Sequence, residues 1–370
     1  MVVDAATETR VLGRLVLRGV LSRDSVQKLF DQARQAAESG QPEPLSDLVA
    51  DSGLLSAERF ALYLVTDGDD VPTLPGHRYL SKLGEGGTAS VFAVRRLKDG
   101  VDLAVKVLKP EVARDTAMLK AFLGEAKLLQ RLDHPNVIKG HKAGRVDGSY
   151  VSIMETVGGR TLQEAIAEGG VFDEDGALYV ILQAARALEY LRENGVVHRD
   201  IKPGNIMVTA DNTVKVIDLG FAITSDGEAG DGSTTIGTAA FLSPEQAQGR
   251  ADLDVRSDIY ALGATLYQLV LGELPFSGDD EELVQKAVLE GLSASATKGG
   301  RISAHMHYFI EKMMAKDRDH RYQDPKQLIA DIERQTQGKK DLDFGGDSEE
   351  ESQEMLRKRL ARMRRRRGRR

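Results

Sequence analysis

Apolar positions along this chain change their period twice. Over residues 8–66 they recur in short helical runs that carry a weak internal echo. Leu15-Val16 leads to Gly19-Val20-Leu21-Ser22, and Leu48-Val49 leads to Gly53-Leu54-Leu55-Ser56. Glycine takes the left-handed conformation that ends a helix without a Cβ penalty, and a serine hydroxyl accepts from the unpaired N–H groups that open the next one. The pattern predicts helices starting at Arg23 and Ala57, capped by Ser22 and Ser56, within a helical module over 8–66. Residues 67–77 are polar and rich in Gly and Pro, which break periodic structure, and read as a linker.

Beyond it the period shortens. The β-branched segments 78–83, 90–95 and 101–108 read as consecutive antiparallel strands, the last with Val101, Leu103, Val105 and Val107 on one face. From about residue 158 the period is helical again, as over 177–194, where Leu178, Ile181, Leu182, Ala185, Leu188 and Leu191 form a stripe closed by Gly195. A small β-rich lobe is thus followed by a large helical one, the two together spanning 78–335. Residues 338–370 are too polar to bury much surface and read as a flexible tail, first acidic and then Arg-rich.

Composition narrows the class. With 41% hydrophobic and 29% charged residues among 370, the chain has an ordinary globular balance, and no apolar run approaches the ~18 residues that span a bilayer. An integral membrane protein is excluded on this reading. No secretory pattern opens the chain, and the absence of cysteine removes disulfides and thiolate metal sites, so a cytoplasmic protein is expected. The net charge of −7 conceals an asymmetry: residues 355–370 carry ten Lys or Arg and no acid, and removing them leaves −17.

Candidate chemistry begins at Gly84-Glu85-Gly86-Gly87-Thr88-Ala89-Ser90-Val91, which lies between two strands, unlike a dinucleotide fingerprint. Such a hairpin lets backbone N–H groups approach phosphate oxygens, although a plain tight turn would look the same. Lys106, in Ala104-Val105-Lys106-Val107, sits on the strand face opposite Val105, where a lone lysine is ordinarily solvated. Glu125 shifts that balance. It falls on the helical stripe of Met118, Phe122, Leu129 and Leu132, and a carboxylate on an apolar face demands a cation, for which Lys106 is the best preceding candidate. The densest cluster is His198-Arg199-Asp200-Ile201-Lys202-Pro203-Gly204-Asn205. It is followed by Asp218-Leu219-Gly220 at the end of a strand-like run over 213–217, with Asp211-Asn212 as the hairpin turn before it. Asn205 and Asp218 are hard oxygen donors suited to Mg²⁺.

Taken in order, these residues resemble the eukaryotic-type (Hanks-type) serine/threonine protein kinases, particularly the bacterial members, over 79–335. The resemblance implies an α+β, two-lobed protein kinase fold, with five antiparallel strands and one helix above a mainly helical lobe, and ATP with Mg²⁺, or alternatively Mn²⁺, in the cleft. It implies an ATP site from Leu83, Gly84, Glu85, Gly86, Gly87, Val91, Ala104, Lys106, Met154, Glu155, Val157 and Met207. Glu125 would hold Lys106 on the phosphates, Asp200 would accept the hydroxyl proton, Lys202 would neutralise the transferred phosphoryl, and Asn205 and Asp218 would bind the metal. Asp258 resembles the buried aspartate that anchors the catalytic loop, and Arg321 the late arginine that pairs with Glu245. Lys202 with Thr238 resembles the Ser/Thr-specific pattern. Arg199 beside Asp200 implies control by an activation-segment phosphate, with Ser233, Thr234 and Thr235 as acceptors.

Departures from the family pattern are Ala89 at the third loop glycine, Leu219 in DFG, Ser243 in APE, and Gly158 where many relatives place an acid for the ribose. None removes a catalytic atom. In the tail, Leu356, Leu360 and Met363 share one face among arginines, a composition suited to anionic lipid, to nucleic acid or to the acidic body of the chain, and hence to peripheral membrane association. Docking, homodimerisation and substrate recruitment are the roles open to 8–66, the alternative being a packing extension of the small lobe. The competing functions are a nucleotide-binding pseudokinase or scaffold, which degraded catalytic residues would mark, and a nucleic-acid binder built on the tail, which accounts for sixteen residues.

Overall fold

A computed structural model describes residues 4–220, 222–224, 239–276, 278–279 and 301–342. Ser233, Thr234, Thr235, Thr238 and the tail beyond 342 lie outside them. The chain divides into two compact units, one built from residues up to 131 with 139–156, the other from 132–138 with the chain from 157 onward.

In the first unit, α1 (Ala5–Leu17), α2 (Arg23–Glu38), α3 (Leu45–Asp51) and α4 (Ala57–Val65) enclose a core of Val11, Leu12, Leu15, Leu29, Val49 and Phe60. The Ser22 hydroxyl accepts from Ser25 N–H and the Ser56 hydroxyl from Arg59 N–H, while Gly19 and Gly53 lie at φ 71° and 69°. A five-stranded antiparallel sheet follows, from β1 (His77–Glu85), β2 (Ala89–Arg96), β3 (Asp102–Leu108), β4 (Gly140–Val146) and β5 (Ser149–Glu155), in the order β1-β2-β3-β5-β4. Between β3 and β4 lies α5 (Thr116–Arg131).

The stretch read as a linker is built into the sheet's core. Val71 and Leu74 are buried beside Tyr79, Phe92, Val94, Val105 and Ile153, with Leu62 and Val65 of α4 packed on the same cluster, and the Tyr79 hydroxyl donates to the Pro72 carbonyl at 3.1 Å. Two apolar residues three apart were outweighed in the sequence by the Gly, Pro and Asp around them, yet their burial joins the helices to the sheet.

The second unit is mainly helical. Its long helices are α7 (Glu174–Glu193), α9 (Val255–Leu271) and α11 (Pro325–Leu342). Around them lie the shorter α6 (Leu162–Ala167), α8 (Pro244–Ala247) and α10 (Ala304–Met313). α7 starts at Glu174 because the Asp173 carboxylate accepts from Gly176 N–H. α9 is buried along its length, so its polar residues need partners from the chain packed around it. Two small sheets carry the loops of interest: β6 (Gly159–Thr161), β8 (Ile206–Thr209) and β9 (Val214–Val216) in the order β6-β8-β9, and β7 (Val196–Val197) with β10 (Ile223–Thr224). The β8–β9 hairpin turns at Asn212, which takes φ 66°.

Candidate functional site

In the first unit the Gly-rich segment is the β1–β2 hairpin, closed by Gly86 N–H donating to the Ala89 carbonyl at 2.8 Å. A Cβ at Gly84 or Gly87 would meet no protein atom, and neither glycine lies in the left-handed region. Packing and backbone strain within the chain therefore leave these glycines unexplained. Leu83 is exposed at a β1 irregularity, Val91 is half-buried opposite Lys106, and buried Ala104 and Met154 are register partners on β3 and β5. Glu155 exchanges two hydrogen bonds with Lys139: its N–H donates to the Lys139 carbonyl at 2.9 Å, and its carboxylate accepts from Lys139 N–H at 2.8 Å.

Lys106 Nζ lies 2.9 Å from both carboxylate oxygens of Glu125, and both side chains are mostly buried. Glu125 shares its face of α5 with buried Phe122 and Leu129, whereas Met118 is exposed, so the apolar stripe begins a turn later than the sequence suggests. α5 is seated on β4 by the missing side chain of Gly140, where a Cβ would come within 2.7 Å of Leu129 Cβ.

In the second unit the loop 198–205 leaves β7 and is pinned by α9. Asp258, fully buried, accepts from His198 N–H at 2.8 Å and Arg199 N–H at 2.7 Å. Burial pushes its carboxyl up to about 7 against the pull of those two donors. Arg199 sits at φ 68°, a strained conformation for a residue with a Cβ, and its carbonyl accepts from Gln246 Nε2 at 2.8 Å. His198 is wholly buried, and desolvation holds its imidazole down near 4. Its Nδ1 lies 3.2 Å from Asp200 N–H, a bond that the neutral ring accepts.

Asp200 is therefore fixed from several sides. Lys202 Nζ stands 3.0 and 2.8 Å from its two carboxylate oxygens, and Asn205 Nδ2 donates to both its carbonyl and its Oδ2 at 2.8 Å. Burial raises the Asp200 pKa, with Lys202 and Asn205 opposing the shift. Since the Asn205 amide nitrogen is turned toward Asp200, its Oδ1 is the atom suited to a cation. Asp218, two residues beyond β9, accepts from Gly220 N–H at 2.9 Å, and Leu219 beside it is buried. Met207 lies half-buried on β8.

A family model described as the protein kinase domain matches residues 77–331. The chain belongs to the protein kinase family. Among similar proteins, the serine/threonine-protein kinase PknB of Mycobacterium leprae (strain TN) is 36% identical over 258 residues, covering 68% of this chain and 41% of that protein. PknB of Mycobacterium tuberculosis (strain ATCC 25618 / H37Rv) is 37% identical over 262 residues, covering 68% and 41%. The probable serine/threonine-protein kinase CPE1738 of Clostridium perfringens is 36% identical over 263 residues, covering 70% and 38%. The chain thus spans about two fifths of the length of these curated relatives. Among its described residues, no helix is long and apolar enough to cross a membrane.

Within the kinase domain, the described residues of the second unit hold two contacts around these segments that the sequence reading missed. Gln246 caps α8 reciprocally with Ser243, its Oε1 accepting from Ser243 N–H at 3.2 Å, while its amide reaches the Arg199 carbonyl. The signal was present as Ser243-Pro244-Glu245-Gln246, a capping-box spacing. Glu245 in the same turn receives two bonds from Arg321, at 2.7 and 2.9 Å, and one from the Ser257 hydroxyl at 2.7 Å. The other missed contact, Asn136 Nδ2 to Gln183 Oε1 at 3.0 Å, ties the 132–138 segment to α7.

Proposed function

We propose that the chain is an ATP-dependent serine/threonine protein kinase, transferring the γ-phosphoryl of ATP to a protein hydroxyl. The observation that carries this reading is the setting of Asp200: a carboxylate oriented by Lys202 and Asn205, on a loop whose backbone is clamped by Asp258. A residue that accepts a proton and aligns a hydroxyl needs that fixed direction. Burial raises its pKa, which strengthens it as a base, while Lys202 and Asn205 favour its ionised form. Lys202 offsets negative charge on the moving phosphoryl. Lys106, held by Glu125, binds the α- and β-phosphates, and the open Cβ positions of Gly84 and Gly87 suit close approach of backbone N–H groups to phosphate oxygens. Leu83, Glu85, Gly86, Val91, Ala104, Met154, Glu155, Val157 and Met207 complete the nucleotide contacts.

A divalent cation, when bound, neutralises phosphate charge, and the Asn205 and Asp218 oxygens suit Mg²⁺, with Mn²⁺ a workable substitute. The named activity of the relatives supports the Ser/Thr preference. None of Lys106, Glu125, Asp200, Asn205 or Asp218 is substituted, which argues against a pseudokinase. Thr234 or Thr235 is the proposed acceptor of an activating phosphate that Arg199 would pair with, Ser233 being the alternative and Thr238 a substrate-side contact. For the tail, the partner its ten cations suit is an anionic one, lipid or nucleic acid; homodimerisation through 8–66 and a cytoplasmic location belong to the same proposal.

The test is transfer of labelled γ-phosphate, with Mg²⁺, to the chain itself and to a basic protein substrate, comparing wild type with Asp200→Asn. The expected loss is at least ~100-fold, the lower range for removing a general base. Equal incorporation by both would overturn the assignment of Asp200, and ATP binding without transfer by wild type would favour a scaffold.

A further inference from the structure

Outside the kinase pattern, one line of charged groups runs from the N-terminal helices to the Gly-rich hairpin, entirely within the first unit. Arg10, Arg14 and Arg18 recur every fourth residue and so share one face of α1. All three reach the turn after α4. Arg10 and Arg14 pair with Asp67, Arg18 donates to the Gly68 carbonyl at 2.8 Å, and Arg18 pairs with Asp69. Asp69 is buried, with its backbone held by Thr66 through two hydrogen bonds. Its second carboxylate oxygen lies 2.8 Å from Lys82 Nζ on β1. Lys82, only 12% exposed, also reaches Glu85 at 2.7 Å, and Glu85 in turn pairs with Lys109 beyond β3 at 3.0 Å. Lys109 N–H donates to the Thr88 carbonyl on the far side of the hairpin. Both arms of the hairpin are therefore tied down by this chain of contacts.

We propose that Asp69 and Lys82 are positioning residues for the phosphate-binding hairpin, through which the N-terminal helices set the affinity for nucleotide. This rests on the kinase reading above. The geometry supplies the reason. Lys82 is too buried to be satisfied by water, and Asp69 is the anion that holds its ammonium in place. With Lys82 fixed, Glu85 is shared between two cations and stays ionised, its carboxyl held down near 2. An ammonium released from Asp69 is free to follow Glu85, and the hairpin loses its connection to α1. Exposed ion pairs are screened by salt, whereas Asp69 and Lys82 are covered, so this central link of the tether is the one least weakened at physiological salt.

The experiment uses the full chain. Nucleotide Kd is measured by calorimetry with a non-hydrolysable ATP analogue, and KM for ATP and kcat by phosphate transfer, for Asp69→Asn, Arg18→Met and Arg18→Lys. Expected for the first two is a rise of about 5-fold or more in both Kd and KM, with kcat within about 2-fold of wild type. Arg18→Lys, which keeps the charge, is expected to recover most of the affinity. Among the described residues, the Arg18 side chain bonds to Gly68 and Asp69 of the turn after α4, so Arg18→Met decides alone if Asp69→Asn does not fold. Unchanged Kd in Arg18→Met would overturn the proposal, as would a fall in kcat with Kd untouched. A wild-type chain that binds no nucleotide would instead overturn the kinase reading, which separates the two failures.

Discussion

At the scale of single residues, the second unit sets two buried ionisable groups against each other. His198 is held near 4 by burial, below its ordinary 6.5, while Asp258 is pushed up to about 7 from 3.8, and the His198 N–H binds the Asp258 carboxylate. The signs follow from proton counting. Between 6.5 and 4 the unfolded His198 takes up a proton that the folded one refuses, so its contribution to stability is lost as pH falls through that range. Asp258 acts in the reverse sense: folded, it keeps a proton that the unfolded carboxyl sheds, so its contribution is lost as pH rises from 3.8 to 7. Over their shared window the two slopes oppose each other. The ring itself gives a direct measurement. The ring nitrogen shifts of His198 are expected to stay those of a neutral imidazole from pH 8 to pH 5, and conversion to imidazolium shifts with a midpoint near 6.5 would show that the ring is hydrated.

Elements show what the sequence could and could not disclose. The Gly19 and Gly53 turns, the Ser22 and Ser56 caps and the Asn212 hairpin were legible because each depends on residues within a few positions of one another. Replacing Ser22 or Ser56 with alanine is expected to cost about 1 kcal/mol each, read as a lower urea midpoint with unchanged slope. Glu125 was legible for another reason: a carboxylate on an apolar stripe states its own need for a cation, and Lys106 meets it. Other contacts between distant segments were not legible where neither a residue's own setting nor the family resemblance named the partner, as the resemblance did for Asp258 and for Arg321 with Glu245. Nothing around Asp69 announces Lys82, and nothing near Gln246 announces the Arg199 carbonyl, because those partners meet only once the chain has folded. Val71 and Leu74 failed for the same reason, since their burial is decided by Leu62, Val65 and the sheet.

For the molecule as a whole, that burial changes the meaning of the N-terminal helices. α4 presents Phe60 and Tyr63 to the helical core, and Leu62 and Val65 to the core under the sheet. Such shared packing couples the two cores thermodynamically. The four helices and the sheet are therefore expected to unfold in one transition: hydrogen exchange in α1 and in β3 should converge on the same opening free energy as urea rises. Early loss of α1 protection, with β3 still closed, would show that the module is an appendage.

The Gly140 contact has a mechanical reading. With Leu129 resting directly on the β4 backbone, α5 has a fulcrum, and Glu125 lies one turn away, about 6 Å along the helix axis. A helix on a pivot works as a lever with a short arm. A tilt of about 10° over that arm moves Glu125 by about 1 Å, enough to break its grip on Lys106, because hydrogen bonds of 2.9 Å do not survive such stretching. A methyl at Gly140, which would push α5 off that contact, is therefore expected to loosen the hydrogen bonds between Glu125 and Lys106.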